Sequence, residues 1–340
     1  MVALVADIGG TNARFALAKS DQSSAKQSLP AQLIEQSIAT FAVVDFESFD
    51  AALSAYLKQC ESPNITSGVV AVATPVLDDQ LVFTNSHWRF SQQAMRQLFG
   101  IPALKFVNDF SALAFALPHL GANDLRQVGS HSQGQGVGGS GDQSDQSEQV
   151  LAVVGPGTGF GVSALITDAQ GSRSIDGEGG YSMMRLANSR EFALQQQLTM
   201  MNESNGGDRY IPAEYLLSGP GLEQAYRALL TIDGQTAQSK KASEILQAGL
   251  SGTDAHARET LDLFCQQLGY CAGDIAITLG ARSGVFIGGG IVPRMADYLE
   301  ASTFRSCFDN KGPMTDYMKQ IPVMLITQPH AAMLGACALL

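Results

Sequence analysis

VADIGGTNARFAL, residues 5–17, sets an apolar run ahead of Asp7, then Gly9, Gly10 and Thr11, then alternating apolar residues. The alternation on both sides of the glycines predicts two strands, over 2–8 and 13–18, folded into a hairpin. A glycine turn has two readings. It can serve a tight reversal alone. It can also let backbone N–H groups converge on an anion, because no Cβ blocks the approach. Thr11 adds a hydroxyl donor at the tip. The stretch has neither the GK[ST] of a P-loop nor the GxGxxG of a dinucleotide fold. Taken alone it is a hairpin, with phosphate binding left open.

A second stretch repeats the pattern. VVGPGTGFGVSAL, residues 153–165, is again strand, glycine-and-threonine turn, strand, with Thr158 at the tip. Phe160 stands where the third glycine of GxGxxG would be. Each hairpin opens a series of alternating strand and helix patterns. Two such openings in one chain suggest a duplicated α/β fold with a cleft between its halves.

The rest of the chain fits that frame. Helical spacing over 47–60 puts Phe49, Leu53, Tyr56 and Leu57 on one face. Residues 68–75 read as a buried strand stopped by Pro75. Residues 81–91 read as a strand ending at Ser91, a good N-cap for the helix that Gly100 closes. Residues 103–110 read as a strand whose end turns polar. The segment 129–149 holds one apolar residue, Val137, is rich in Gly, Ser, Gln and Asp, and reads as a flexible loop. A long apolar helix is expected over 257–281, and a strand, triple glycine and helix start over 284–294.

Composition bounds the function. A chain of 340 residues suggests two domains, and 45% hydrophobic residues supply a sizeable core. The net charge of −11 argues against nucleic acid and anionic membranes as partners, since both need lysine and arginine stripes. It leaves a nucleotide open, because backbone N–H groups and helix N-termini can hold phosphate. The 5 cysteines are odd in number and widely spaced, as reduced thiols of a cytoplasmic protein are. The start lacks a basic region before its apolar run, so no signal peptide is expected.

Carboxylates form the second class of signal. Asn108 and Asp109 end an expected strand, a usual place for ligands in α/β folds. Asp109 could take a proton from an attacking hydroxyl, or simply cap the next helix. Glu178 sits among glycines in DGEGGY. Glu214, near Pro212, reads more easily as a first-turn helix residue. Gly288, Gly289 and Gly290 could admit a nucleotide against the backbone, or serve tight packing.

Together these motifs resemble, in order and over nearly the whole chain, the bacterial glucokinase family of the hexokinase–actin–Hsp70 ATPase superfamily. VADIGGTNARFAL resembles its first phosphate loop and VGPGTGFGVS its second. VAVATPVLDDQLVFTNSHWRFS is similar to its sugar-side strand pair, and VNDFSALAFALP to its catalytic segment. GEGGY and PAEYLLSGPGL resemble its sugar segments, and GVFIGGGIVPR its adenosine segment. The clustered cysteines of the related ROK sugar kinases are absent.

The resemblance implies an actin-like, ribonuclease-H-like α/β fold of two domains. The small domain would span 1–110 and be rejoined by a C-terminal helix at 326–340; the large domain would span 111–325. The implied activity is ATP-dependent phosphorylation of glucose at its 6-hydroxyl, with Mg²⁺, by a cytoplasmic homodimer. Asp109 would be the base, and Asn108, Glu178 and Glu214 would bind sugar hydroxyls. Ala6, Asp7, Ile8, Gly9, Gly10 and Thr11 would form the phosphate loop, with Asp7 near Mg²⁺ through water. Gly157, Thr158 and Gly159 would hold phosphate, and Gly288, Gly289 and Gly290 the adenosine. Two features depart from the family. Tyr181 stands where the family usually has a sugar-site histidine, and the 129–149 segment is longer and richer in Gly and Ser. The tyrosine keeps a kinase for another hexose or an amino sugar in view. From a different class, a sugar sensor without turnover is the alternative.

Overall fold

The computed structural model describes residues 2–19, 31–61, 64–83, 85–129 and 148–340. They form two compact units. The first comprises Met1–Gly121, Gln170–Asp176 and Gln328–Leu340; the second comprises Ala122–Ala169 and Gly177–Thr327.

In the first unit, β1 (Val2–Ile8) and β2 (Asn12–Lys19) pair antiparallel with Ile8 opposite Ala13, as the opening stretch predicts. β3 (Gln32–Leu33) and β4 (Ala39–Ala42) both pair with β2. On the other side of β1, β5 (Ser67–Val72) runs parallel to it. Leu4, Ala6 and Ile8 of β1 enter one apolar cluster and Val5 another. A strand covered on both faces carries apolar residues at nearly every position, which explains the unbroken run before Asp7.

α1 (Phe49–Gln59) starts at Ser48, whose hydroxyl accepts from the Ala51 N–H at 3.3 Å. Its face is the expected one: Phe49, Leu53 and Tyr56 are buried, and Leu57 packs beside them. Phe49 stacks on Phe90 with ring centroids 4.5 Å apart, and Trp88 meets its edge.

The single strand expected over 81–91 is two strands. β6 (Gln80–Val82) and β7 (Arg89–Ser91) pair antiparallel, with Leu81 opposite Phe90. Asn85 and Ser86, between them, are turn formers. The Ser86 hydroxyl accepts from the Trp88 backbone N–H, and the Trp88 indole N–H donates to the Phe46 carbonyl at 3.1 Å. Ser91 caps α2 (Gln92–Phe99) and Gly100 ends it, as expected.

β8 (Ala103–Asn108) lies parallel beside β5. The strand expected to reach 110 stops at Asn108, because the Asn108 side chain caps α3 (Asp109–Ala116), accepting from the Phe110 and Ser111 N–H groups at 2.9 and 3.3 Å. Asp109 is thus the first helical residue, neither strand nor cap. The domain boundary expected at 110 would cut α3, whereas the first unit continues to Gly121.

The second unit repeats the sheet. β9 (Leu125–Gln127), β10 (Gln149–Pro156), β11 (Phe160–Asp168), β13 (Gly284–Ile287) and β14 (Val323–Ile326) lie in the order β11-β10-β13-β14-β9. Most of β12 (Gly171–Gly177) groups with the first unit. The β10–β11 hairpin lies against parallel β13 as the β1–β2 hairpin lies against parallel β5. The expected duplication is therefore a duplication of topology. β10 already begins at Gln149, so the 129–149 loop is shorter at that end; its residues 130–147 lie outside those described. β14 holds residue 326 in this sheet, so the chain rejoins the first unit at Gln328 rather than at 326.

Helices α4 (Ser189–Ser204), α5 (Gly219–Ile232), α6 (Ala242–Ser251) and α7 (Ala255–Leu279) pack with this sheet, followed by the short helices α8 (Ala296–Ala301), α9 (Phe304–Asp309) and α10 (Thr315–Met318). Leu261, Phe264, Leu268 and Ala272 of α7 recur at helical spacing and are fully buried.

Asp254 ties α7 to α5 and to the segment that leads into α6. Its carboxylate caps α7 at the Ala257 N–H, 3.0 Å away, and accepts from the Tyr226 hydroxyl at 2.7 Å and from the Lys240 ammonium. Burial works to raise its pKa, but these hydrogen bonds outweigh it and hold the carboxyl well below the usual range. A depressed folded pKa gives stability that is present above the unfolded value of about 3.9 and is lost as pH falls through the folded one. Urea midpoints of wild type and Asp254→Asn should therefore differ most near neutrality and draw together as pH drops below about 4. A gap that stays constant into acid would place the stabilisation elsewhere.

Candidate active site

The β1–β2 turn is held from both ends. The Gly9 N–H donates to the Asn12 carbonyl at 2.9 Å, and the Thr11 carbonyl accepts from the Val43 N–H at 2.9 Å. The Gly9 N–H therefore closes the hairpin. A Cβ on Gly10 would lie 2.7 Å from the Asn85 carbonyl oxygen. Ala6 and Ile8 are fully buried strand residues. Between them Asp7 accepts from Arg14 Nη1 at 2.9 Å. Burial raises the Asp7 pKa, against the opposing pull of Arg14 and, more weakly, His330.

Asn108 and Asp109 follow at the β8–α3 junction. Besides capping α3, Asn108 donates from Nδ2 to the Thr74 carbonyl at 3.4 Å. Asp109 is half-buried beside it, and its Oδ1 accepts from the Phe110 N–H at 3.0 Å.

In the second unit three glycine segments converge. The Gly157 N–H closes the β10–β11 turn on the Gly159 carbonyl at 2.8 Å, leaving Thr158 exposed at the tip. The Gly157 carbonyl accepts from the Gly219 N–H at 2.9 Å, which brings the start of α5 to the turn. Gly289 has φ +83°, and a Cβ there would sit 2.3 Å from the Pro156 carbonyl oxygen. Only glycine fits that position. Gly288 donates to the Val154 carbonyl at 2.8 Å, and Gly290 is open. The helix start expected after these glycines is first a 3₁₀ turn, Val292–Met295, with Pro293 in its opening turn, where the missing N–H costs nothing. The α5 start thus lies beside this turn, a neighbour the sequence reading did not separate out. Ser218 as N-cap with Pro220 in the first turn was its available signal.

Glu214 lies in a 3₁₀ turn, Ala213–Tyr215, not in the first turn of an α-helix. Its Oε2 accepts from the Phe160 N–H at 2.7 Å, at the foot of the second glycine hairpin. A side chain at Gly159 would collide with this carboxylate, at 2.6 Å. Glu178 and Tyr181 face the same group. Burial, then the Glu214 charge, raises the Glu178 pKa. The Glu214 charge, then burial and Glu178, raises that of Tyr181, whose side chain is half-exposed. The two segments are laced by backbone bonds: Met184 N–H to the Ile211 carbonyl at 3.1 Å, Ala213 N–H to the Ser182 carbonyl at 2.8 Å. The Tyr210 hydroxyl adds a bond to the Tyr181 carbonyl at 2.6 Å. So Glu178, Tyr181 and Glu214, scattered in sequence, lie near enough for their charges to act on one another beside a glycine turn.

Among the described residues no group of three or more His, Cys, Asp or Glu side chains could hold a metal ion, and no helix is long and apolar enough to cross a membrane.

Paired sheets, each opening on a glycine hairpin, are the architecture of sugar kinases with the actin-like ATPase fold. A glucokinase from an Antarctic psychrotroph superposes with a TM-score of 0.79 at 34% identity, covering 100% of this chain and 98% of that one. A Balamuthia mandrillaris glucokinase solved with glucose has the same fold, with a TM-score of 0.76 at 19% identity over 99% of this chain and 92% of its own. The glucokinase of Chromobacterium violaceum is 40% identical over 335 residues, 98% of this chain and 88% of that protein. The glucokinase family model matches residues 4–340, and the chain belongs to the glucokinase family, whose members are enzymes that phosphorylate glucose.

Proposed function

We propose that this chain transfers the terminal phosphoryl group of ATP to the 6-hydroxyl of glucose. The observation that carries the reading is the joining of Glu178, Tyr181 and Glu214 to the second glycine hairpin through the Glu214–Phe160 hydrogen bond. A sugar presents several hydroxyls, each donor and acceptor, and needs carboxylates in fixed positions. Phosphoryl transfer needs positioning and charge stabilisation rather than covalent chemistry from the protein.

In this reading Asp109 takes the proton of the 6-hydroxyl as it attacks. Asn108 orients that carboxylate by capping the helix that carries it, and the second hydrogen of its Nδ2, the first being on the Thr74 carbonyl, serves a sugar hydroxyl. Glu178 and Glu214 accept from other sugar hydroxyls. Gly10 and Thr11 of the first turn and Thr158 and Gly159 of the second supply backbone and hydroxyl donors to phosphate, while Gly9 and Gly157, whose N–H groups close the turns, supply shape. Gly288, Gly289 and Gly290 let adenosine lie against the chain. Asp7 is a lone carboxylate paired with Arg14, which suits Mg²⁺ held chiefly by water and phosphate oxygens. Mg²⁺ would neutralise charge on the nucleotide phosphates. A homodimer in the cytoplasm completes the proposal.

Release of ADP from ATP·Mg²⁺ should require glucose, and a glucose-independent rate equal to the full rate would reject the reading. Tyr181 tests the sugar side. Losing its hydroxyl in Tyr181→Phe should cost about 1–3 kcal/mol in kcat/KM for glucose. The loss should shrink for the deoxy sugar lacking the contacted hydroxyl. Tyr181→His should keep activity. A flat profile across glucose and its deoxy analogues would mean that Tyr181 touches no sugar.

A further inference from the structure

The segment carrying Glu178 and Tyr181 is gripped from behind by a side chain outside the motifs. Gln267, midway along α7, is fully buried, a costly place for an amide unless every polar atom is satisfied. It meets a single residue, Arg185, twice. Gln267 Oε1 accepts from the Arg185 backbone N–H at 3.1 Å, and Gln267 Nε2 donates to the Arg185 carbonyl at 2.5 Å. An amide that answers both backbone groups of one residue acts as a neighbouring strand would, and fixes that residue in position and direction. Two residues on, fully buried Glu191 of α4 accepts from the Ala187 N–H at 2.5 Å.

Arg185 follows directly on Met184, which pairs with Ile211. The chain of bonds runs from Gln267 to Arg185, through the Met184–Ile211 and Ser182–Ala213 pairs, to Glu214 and its bond to Phe160. Every link lies within the second unit. The rigid α7 thereby sets where Glu178, Tyr181 and Glu214 stand relative to the glycine hairpin.

We infer that Gln267 is a positioning residue for the sugar site: its two-point bond to Arg185 holds the Glu178–Met184 segment in the geometry that receives the sugar. The inference rests on the proposed sugar-binding role of Glu178, Tyr181 and Glu214. Misplacement by about 1 Å is enough to cost up to about a hundredfold in rate.

The test uses the intact enzyme and three variants. Gln267→Met keeps the volume and removes both bonds. Gln267→Glu keeps the acceptor and, when protonated, regains the donor. Glu178→Gln tests the underlying reading. In Gln267→Met the KM for glucose should rise about tenfold or more, while the KM for ATP stays within about twofold. The Gln267→Glu variant should approach wild type, as a ratio at each pH, as pH is lowered and its carboxyl gains a proton. Equal changes in both KM values, or none, would overturn the positioning role, as would a Gln267→Glu ratio that does not move with pH. If Glu178→Gln leaves glucose kinetics unchanged, the sugar-site reading fails instead. If Glu178→Gln raises the KM for glucose and Gln267→Met does not, only the inference about Gln267 fails.

Discussion

Asp109→Asn should lower kcat by about 10²- to 10⁴-fold, the scale of a lost general base. The KM for glucose should change much less, because an amide still hydrogen-bonds the 6-hydroxyl. The competing role for Asp109, capping α3, is already filled by Asn108, which accepts from both the Phe110 and Ser111 N–H groups. Asp109 stands one position further on, where a negative charge favours the helix start by about 0.3–1 kcal/mol. The variant should therefore fold with little loss, and its thermal unfolding should sit close to wild type. Steady-state kinetics with a stability control decides the matter. Turnover near normal in a well-folded variant would leave Asp109 as a helix residue and nothing more.

Gly335→Val should be the most damaging change remote from the site. The C-terminal helix, Ala331–Ala338, crosses α3 so closely that a Cβ on Gly335 would lie 1.7 Å from the Ala112 carbonyl oxygen. The clash is with backbone, so no side chain can rotate away. The helices must separate, which loosens Met333, Ala336 and Cys337 from Val5 and Val69 on the sheet. Overpacking of this kind costs about 3 kcal/mol, at the upper end of the usual range. Trp88 is the only tryptophan and is buried in the first unit, so its emission reports that unit alone. Its urea transition should move to markedly lower concentration in Gly335→Val. An unchanged transition would show that the helices part without loss.

Much of this was legible from local patterns. Two strands around Gly9 and Gly10, the α1 face, the Ser91 cap and the long α7 each rest on contacts within one or two turns of chain. The internal echo between 5–17 and 153–165 carried the larger message, since a repeated hairpin before a repeated strand implies a repeated sheet. The misreadings were local too. Residues 81–91 looked like one strand because Trp88, Phe90 and Leu81 are apolar, and the turn between them is marked only by Asn85 and Ser86. For Asp109 the cap stayed open beside the proton acceptor, because Asp and Asn cap equally well. Which of two adjacent residues turns inward depends on where β8 stops.

The amino-acid sequence by itself determined the fold class, the duplication, the resemblance to the glucokinase family and the candidate residues. Periodicity, turn chemistry and motif order are properties of neighbours along the chain. Only the tertiary structure decided where those candidates stand and what they bond to. Glu214 became part of the second hairpin through the Phe160 N–H, 54 positions away in the chain. Gln267 took hold of Arg185, 82 positions away. Gly335 came to lie where the Ala112 carbonyl leaves no room for a Cβ. Such bonds carry no local signature: a buried amide, a glycine in a helix and a carboxylate after a proline each have many uses, and the partner that selects one is set by packing.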